Sequence, residues 1–206
     1  MGSQPRVFQH SLDWRFLLPM VAVKKICLLT EEGVEFSQTL EQVGIHTSQQ
    51  LSFSDLKQNG TNKIQFFVMP FGVGAGWVGA KHEDQVEFYG FVRRLISSGG
   101  CLLIGFDNFW WMPARSKAKY YSSTPGRMAG QLRQAGFQSI KIFGAMPNLA
   151  VPEYIFDLDS RTIQFSLRNR FRRKPALLHV LRVLEGTIGW KRLSNFLPCY
   201  FVVATA

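Results

Sequence analysis

Residues 82–106 read HEDQVEFYGFVRRLISSGGCLLIGF, and this stretch contains the two patterns that decide the fold. In its first part the apolar residues recur at helical spacing with charged residues between them, which predicts an amphipathic helix over residues 82–97. Ser97 to Gly100 would end that helix, and the apolar run 101–106 predicts a buried strand. A helix that leads into a buried strand is typical of an α/β protein.

The same alternation continues on both sides of this stretch. The run at residues 64–69 predicts a second buried strand, which Pro70 ends, whereas residues 45–62 are polar and irregular. This succession predicts an α/β fold with a Rossmann-like, doubly wound, mainly parallel sheet that has helices on both faces. Further strands are predicted at residues 21–29, 139–143 and 200–203, and further helices at residues 34–43 and 125–136.

The composition predicts one well-packed domain over residues 1–206, because 46% of the residues are hydrophobic and only 18% are charged. Cys27, Cys101 and Cys199 each lie in an apolar run without CxxC spacing, which predicts reduced core thiols rather than a disulfide or a zinc site. The four histidines are scattered, so no metal site is predicted. No run is long enough to span a membrane, and the expected location is the cytoplasm.

The formal net charge is +10, which favours anionic partners. Residues 168–174 read RNRFRRK, and residues 175–197 predict one or two amphipathic helices interrupted at Gly186 and Gly189. This basic segment, 168–197, predicts contact with an anionic substrate, a membrane surface or an acidic protein partner; an ordinary solvated face is the alternative. Nucleic acid is disfavoured because no helix-turn-helix, RRM or zinc pattern accompanies the charge.

From about Trp14 to the end, the order of elements resembles a class I S-adenosylmethionine-dependent methyltransferase. The resemblance is carried by RLISSGGCLLIGF at residues 94–106, by QLRQAGF at residues 131–137, by Asn108 and by the closing strand that begins at Tyr200. It implies S-adenosylmethionine as the cofactor. The opening DWRFLLP, residues 13–19, is similar to methyltransferase-like proteins of bacterial polysaccharide and secondary-metabolite pathways, which implies a small molecule or glycan precursor as substrate.

The resemblance places the cofactor loop directly after the first strand, at Thr30, Glu31, Glu32 and Gly33. This loop has one glycine where the family has several, which compromises the close approach of the backbone to the cofactor. A solvated turn with glutamates at a helix N-terminus is the alternative. The family's acidic residue for the ribose is missing from residues 45–50, and the eighteen residues 45–62 are few for the strand, helix and strand expected there.

The candidate catalytic residue is Asp107, which would act as a general base at the end of the strand 101–106. Asn108, Trp110 and Trp111 are predicted to bind substrate, because aromatic side chains at this edge could stack on a planar or sugar-like ligand. Core packing is the alternative for these aromatics. Trp77, in the glycine-rich loop 71–80, is predicted on the substrate side, with an ordinary flexible loop as the alternative.

Two classes of function follow. The first is a divergent methyltransferase acting on a small molecule or glycan precursor in a biosynthetic pathway. The second is a catalytically inactive methyltransferase-like protein that binds a protein partner or anionic ligand, or a methyltransferase fold that now performs a cofactor-free reaction. The eroded cofactor loop favours the second class, whereas the strand order and the aromatic residues after Asp107 favour the first.

Overall fold

The computed structural model describes residues 14, 16–18, 25–29, 46–51, 63–70, 82–110, 122–149, 152–170 and 194–206, with residues 172, 174, 176, 179, 180, 183, 186, 187 and 192. The predicted helix at residues 34–43 and the glycine-rich loop 71–80 lie outside these ranges. The regular elements, in chain order, are strands and helices that alternate through most of the chain. They are β1 (Lys25–Leu29), β2 (His46–Leu51), β3 (Ile64–Met69), α1 (His82–Leu95), β4 (Ile96–Asn108), β5 (Ser122–Ser123), α2 (Pro125–Gln134), β6 (Ser139–Met146), β7 (Tyr154–Asp157), α3 (Ser160–Arg170) and β8 (Cys199–Thr205).

The strands form one mixed sheet in the order β2-β1-β3-β4-β8-β6-β7, with the short β5 paired to β4. Strands β1 to β5 pair in parallel. Strand β8 lies antiparallel between β4 and β6, and β7 is antiparallel to β6. The predicted Rossmann-like, mainly parallel sheet is therefore confirmed.

Helix α1 forms because its apolar side chains share one face. Gln85, Phe88, Tyr89, Val92 and Leu95 are buried, a spacing of three or four residues that follows the helical period. Acidic residues occupy the first turn and arginines the last, an arrangement that complements the helix dipole. The buried face packs on the sheet and on α2.

Helix α2 has well-defined signals at both ends. Thr124 is the N-cap, and its side chain accepts a hydrogen bond from the backbone N–H of Arg127. At the other end Gly136 adopts φ +94°, while the N–H of Phe137 donates to the carbonyl of Leu132 over 3.0 Å. This is a Schellman ending, and it explains why the AGF sequence follows the helix.

Apolar side chains are buried on both faces of the sheet, as expected for a largely parallel sheet. One cluster joins side chains of β1, β3, β4 and β8 to the buried faces of α1, α2 and α3. On the other face, Trp14 and Leu18 from the N-terminal segment pack with Leu149 against Leu28 and Phe201. The free cysteines Cys27, Cys101 and Cys199 are buried within these clusters, as predicted.

The strand at residues 64–69 was predicted with the correct bounds, but several other boundaries differ. Helix α1 ends at Leu95, and β4 begins at Ile96 rather than at Cys101. Its first residues form an irregularity opposite β3, where Ile64 pairs with Ile96 and Phe66 already pairs with Cys101. The short polar run SSGG therefore belongs to an extended strand edge and not to a helix end.

The prediction that residues 45–62 are irregular is wrong, since β2 forms there and pairs in parallel with β1. Strand β7 and helix α3 were not predicted at all. Gly186 is itself helical, so the predicted interruption at this residue is wrong, while Gly189 lies outside the described residues. Polar β2 was missed because its place in the sheet comes from pairing with β1 and not from its own hydrophobicity.

Candidate functional site

The strand order of the sheet reverses between β1 and β3. The chain leaves β1 for the outer strand β2, returns to the other side of β1 as β3, and continues outward to β4. Such a reversal opens a crevice beyond the carboxyl ends of the parallel strands, and ligands of open α/β sheets bind there. The carboxyl ends concerned are Leu29 of β1 and Met69 of β3, with the end of β4 beside them.

The predicted cofactor loop begins immediately after Leu29, at this reversal point. Its residues Thr30, Glu31, Glu32 and Gly33 lie outside the described residues, as do Trp77 and Trp111. Their predicted roles stay predictions. Strand β2 has the sequence HTSQQL and so contains no carboxylate at the position where the resemblance implies a ribose ligand.

Asp107 is half-buried near the carboxyl end of β4, where it pairs with Ser122 of β5 and Cys199 of β8. Burial removes water from its carboxylate and raises the pKa of Asp107 above the ordinary value of 3.8. Because a raised pKa makes a carboxylate a stronger base, this environment suits the predicted general base. Strand alternation directs Asp107 to the sheet face opposite Phe106 and Asn108.

Asn108 is 1% exposed, and its side chain is committed to internal hydrogen bonds. The Nδ2 group donates to the carbonyls of Asn195 and Leu197, over 2.6 and 2.7 Å, and to the hydroxyl of Tyr200 over 3.2 Å. The Oδ1 atom accepts from the backbone N–H of Trp110 over 3.0 Å. Asn108 therefore joins the end of β4 to the turn before β8, a structural role that its sequence position did not predict.

Three aromatic side chains are exposed around this junction, and we call them the aromatic rim. Phe109 and Trp110 follow β4 directly, are 39% and 61% exposed, and contact each other edge to face. Phe196, which is 56% exposed, lies in the 3-10 turn Ser194–Phe196 that Asn108 and Tyr200 hold. Trp110 is thus presented to solvent, which decides between exposure and core packing for this residue.

Phe196 was missed by the sequence analysis, which placed it at the end of an amphipathic helix. It reaches the rim because β8 runs antiparallel to β4, so that the start of β8 meets the end of β4. Pairing between strands nearly a hundred residues apart is a tertiary property. The only local signal was Pro198 just before the strand, whose carbonyl accepts a hydrogen bond from the N–H of Asn108.

The cysteine next to the site is not a nucleophile. Cys199 is buried, and its thiol donates to the carbonyl of Ala145 over 3.2 Å. Burial is the main cause that raises its pKa, and the negative charge of Asp107 raises it further. The thiol is therefore protonated at neutral pH and acts as a small core residue.

The Asn108 junction gives a test of how the rim is supported. Asn108→Ala leaves the carbonyls of Asn195 and Leu197 without their donor in a buried setting, so we expect it to lower the free energy of unfolding by about 3 kcal/mol. Urea denaturation measures this loss. Asn169→Ala, at an exposed position on α3, is the matched control and should change stability by about 0.5 kcal/mol or less. A loss below about 1 kcal/mol for Asn108→Ala would contradict the assigned role.

No protein-family model matches the sequence, and no curated protein matches it either. Solved structures do match. A SAM-dependent methyltransferase from Archaeoglobus fulgidus superposes with a TM-score of 0.55 at 14% identity, covering 95% of this chain and 92% of that one. The chain has the class I methyltransferase fold. A phosphoethanolamine N-methyltransferase 2 from Haemonchus contortus, in complex with phosphomonomethylethanolamine and S-adenosylhomocysteine, gives a TM-score of 0.51 at 13% identity.

The two matches differ in how much of the other protein they include. This chain covers 96% of its own length in the Haemonchus match but spans only 52% of that enzyme. At these identities the likeness establishes the class I methyltransferase fold and leaves the residues of the site to be judged by their own chemistry. Within the described residues, no group of three or more histidine, cysteine or acidic side chains could hold a metal ion.

Proposed function

We propose that this protein is a divergent S-adenosylmethionine-dependent methyltransferase that acts on a small molecule or a glycan precursor. The observation that carries the proposal is the reversal of strand order between β1 and β3, with residues 30–33 directly after β1. That is the position at which an open α/β sheet binds its ligand. The half-buried Asp107 and the aromatic rim lie along the same carboxyl edge of the parallel strands.

The described residues at this edge fit a methyl acceptor beside S-adenosylmethionine. The cofactor supplies a methyl group on a positively charged sulfur, which an acceptor's lone pair can attack. Asp107 would take the proton that the acceptor loses, and its raised pKa makes it suitable for this task. Phe109, Trp110 and Phe196 would hold the acceptor by stacking.

The proposed cofactor contacts come from the loop after β1. Gly33 would allow the backbone to approach the methionine part closely, and Glu31 or Glu32 would accept a hydrogen bond from its ammonium group. Since β2 contains no carboxylate, the ribose would be held without the bidentate acidic ligand that the resemblance implies. We therefore expect modest rather than tight cofactor affinity.

Isothermal titration with S-adenosylmethionine and S-adenosylhomocysteine tests this function, after mass spectrometry has checked the purified protein for bound cofactor. We expect a Kd in the micromolar range, on the order of −8 kcal/mol. Glu31→Ala and Gly33→Val should abolish the heat of binding. The matched control is Glu87→Ala, because Glu87 is exposed in the middle of α1, away from the strand ends.

A second candidate function is a catalytically inactive protein of this fold that binds a partner or an anionic ligand, or one that performs a cofactor-free reaction. The single glycine of the loop 30–33 and the absence of a carboxylate from β2 favour it. If neither cofactor binds and none is carried through purification, the methyltransferase proposal is rejected and this second function replaces it.

A further inference from the structure

Helix α3 has one face in the core and a very different face toward solvent. Ile163 and Leu167 are buried in the main cluster, which fixes the orientation of the helix. The opposite face carries Arg161, Phe165 and Arg168, and the exposed Arg172 follows just after the helix. The spacing of four, three and four residues places these side chains along one stripe. Phe165 is 71% exposed, an unusual position for a phenylalanine that the fold itself does not require.

A second set of exposed apolar residues follows along the chain. The described positions between 176 and 187 are helical and exposed, and they include Val180 and Val183, which are 50% and 53% exposed. Residues three positions apart lie on the same side of a helix. We call Arg161, Phe165, Arg168, Arg172, Val180 and Val183 the basic-apolar surface.

The charge of this part of the chain has one sign. Residues 160–206 contain nine lysine and arginine residues and a single acidic residue, Glu185. Just before this region, Asp159 accepts hydrogen bonds from the backbone N–H groups of Arg161 and Thr162, so its carboxylate caps the start of α3. Most of the formal net charge of +10 therefore arises where the exposed apolar side chains also lie.

We propose that the basic-apolar surface binds the face of an anionic lipid membrane. Arginine side chains would contact lipid phosphates, and Phe165, Val180 and Val183 would enter the boundary between headgroups and acyl chains. Each described helix is too short or too polar to cross a bilayer, and this mode of binding requires no crossing. The proposal concerns a surface separate from the strand ends, so it is independent of the proposed methyl transfer.

Charge complementarity selects this occupant over the other candidates. A second copy of the chain would bring the same arginines against one another, and like charges that face each other oppose association. Nucleic acid would gain from the arginines, but exposed valines have no aromatic face on which a base can stack. A lipid surface satisfies both the positive charge and the aliphatic side chains.

Co-sedimentation with vesicles tests the proposal. The full chain is mixed with vesicles of phosphatidylcholine alone or with about one third phosphatidylglycerol, at low and high salt. We expect at least tenfold stronger partitioning onto the anionic vesicles, reduced by salt, because each basic residue near such a surface contributes about 1 kcal/mol.

Two variants test the two parts of the surface. Arg161→Glu with Arg172→Glu should lower partitioning onto anionic vesicles at least tenfold, whereas Arg133→Glu with Lys141→Glu, exposed positions on α2 and β6, is the matched charge control. Phe165→Ser should weaken binding severalfold without loss of folding. Its control is Phe16→Ser, since Phe16 is 64% exposed in the N-terminal segment that packs on the other face of the sheet.

The outcomes separate the candidates. Equal partitioning of the Arg161–Arg172 variant and its control, or no preference for anionic vesicles, overturns the proposal. Binding of a homopolymeric RNA that depends on the same arginines, without vesicle binding, would assign the surface to nucleic acid instead. Light scattering that shows a dimer broken by Phe165→Ser would assign it to self-association.

Discussion

Gly105→Ala is expected to lower the free energy of unfolding by about 3 kcal/mol or more. A Cβ at this position would overlap the carbonyl oxygen of Pro70, and it would lie 3.0 Å from the carbonyl carbon of Pro70 and 3.1 Å from a methyl group of Leu149. Backbone cannot move aside as a flexible side chain can, so β4 must shift away from the chain that leaves β3. Urea or thermal denaturation followed by circular dichroism measures the loss.

The control for this substitution is Gly130→Ala in the middle of α2. A Cβ there meets no atom within 4 Å, and alanine has the better helix propensity. We therefore expect Gly130→Ala to raise stability by about 0.5–1 kcal/mol. If Gly105→Ala were as stable as the wild type, the close approach of Pro70 to β4 would be wrong, and with it the tight spacing of the strand ends at the site.

The second large effect is expected for Asp107→Asn, which should lower the rate of methyl transfer by about 10²–10⁴-fold if Asp107 is the general base. The amide keeps the shape of the side chain but cannot take a proton. For the wild type, we expect the rate to rise with pH as the carboxyl ionises through its raised pKa. Measuring the rate of product formation against pH for both proteins checks the prediction.

The same substitution should make the folded chain more stable at neutral pH. Because burial raises the pKa of Asp107 above 3.8 in the folded state, the folded chain binds the proton more tightly than the unfolded chain. Stability contributed by this group is therefore lost as pH rises through that interval, and at pH 7 the ionised carboxylate is a net cost. Asp107→Asn removes the cost, so the gain in Tm should be present at pH 7 and shrink as pH falls toward 4.

Asp157→Asn is the matched control for charge, since Asp157 is exposed on β7. It should change neither the rate nor the pH dependence of stability. A variant at Asp107 that loses stability at pH 7, or that retains the full rate of transfer, would contradict the assigned base. Loss of activity together with gain of stability is the combination that a purely structural aspartate would not give.

The elements with strong local signals were predicted well. The strand at residues 64–69 is a continuous apolar run that Pro70 ends, and α2 has a threonine cap and a glycine ending. Such signals act within a few residues, so the sequence is enough to read them. Strand β2 was missed for the opposite reason: its residues are polar, and their strand conformation depends on pairing with β1.

The candidate site divides in the same way. Asp107 was chosen because it follows a buried strand, and the structure places it half-buried at the expected edge. The role of Asn108 and the presence of Phe196 in the rim depend on contacts between residues about ninety positions apart. No local pattern encodes such contacts. The loop 30–33 lies outside the described residues, so its assignment still rests on the sequence.

The sequence by itself determined the fold class, because apolar periodicity and turn residues specify where strands and helices alternate. It also determined the charge of the C-terminal part and the burial of the cysteines. Only the tertiary structure decided the antiparallel placement of β8 between β4 and β6, and with it the aromatic rim and the orientation of α3. The physical reason is that strand order and helix docking depend on which distant surfaces bury most apolar area together, a quantity that no short segment contains.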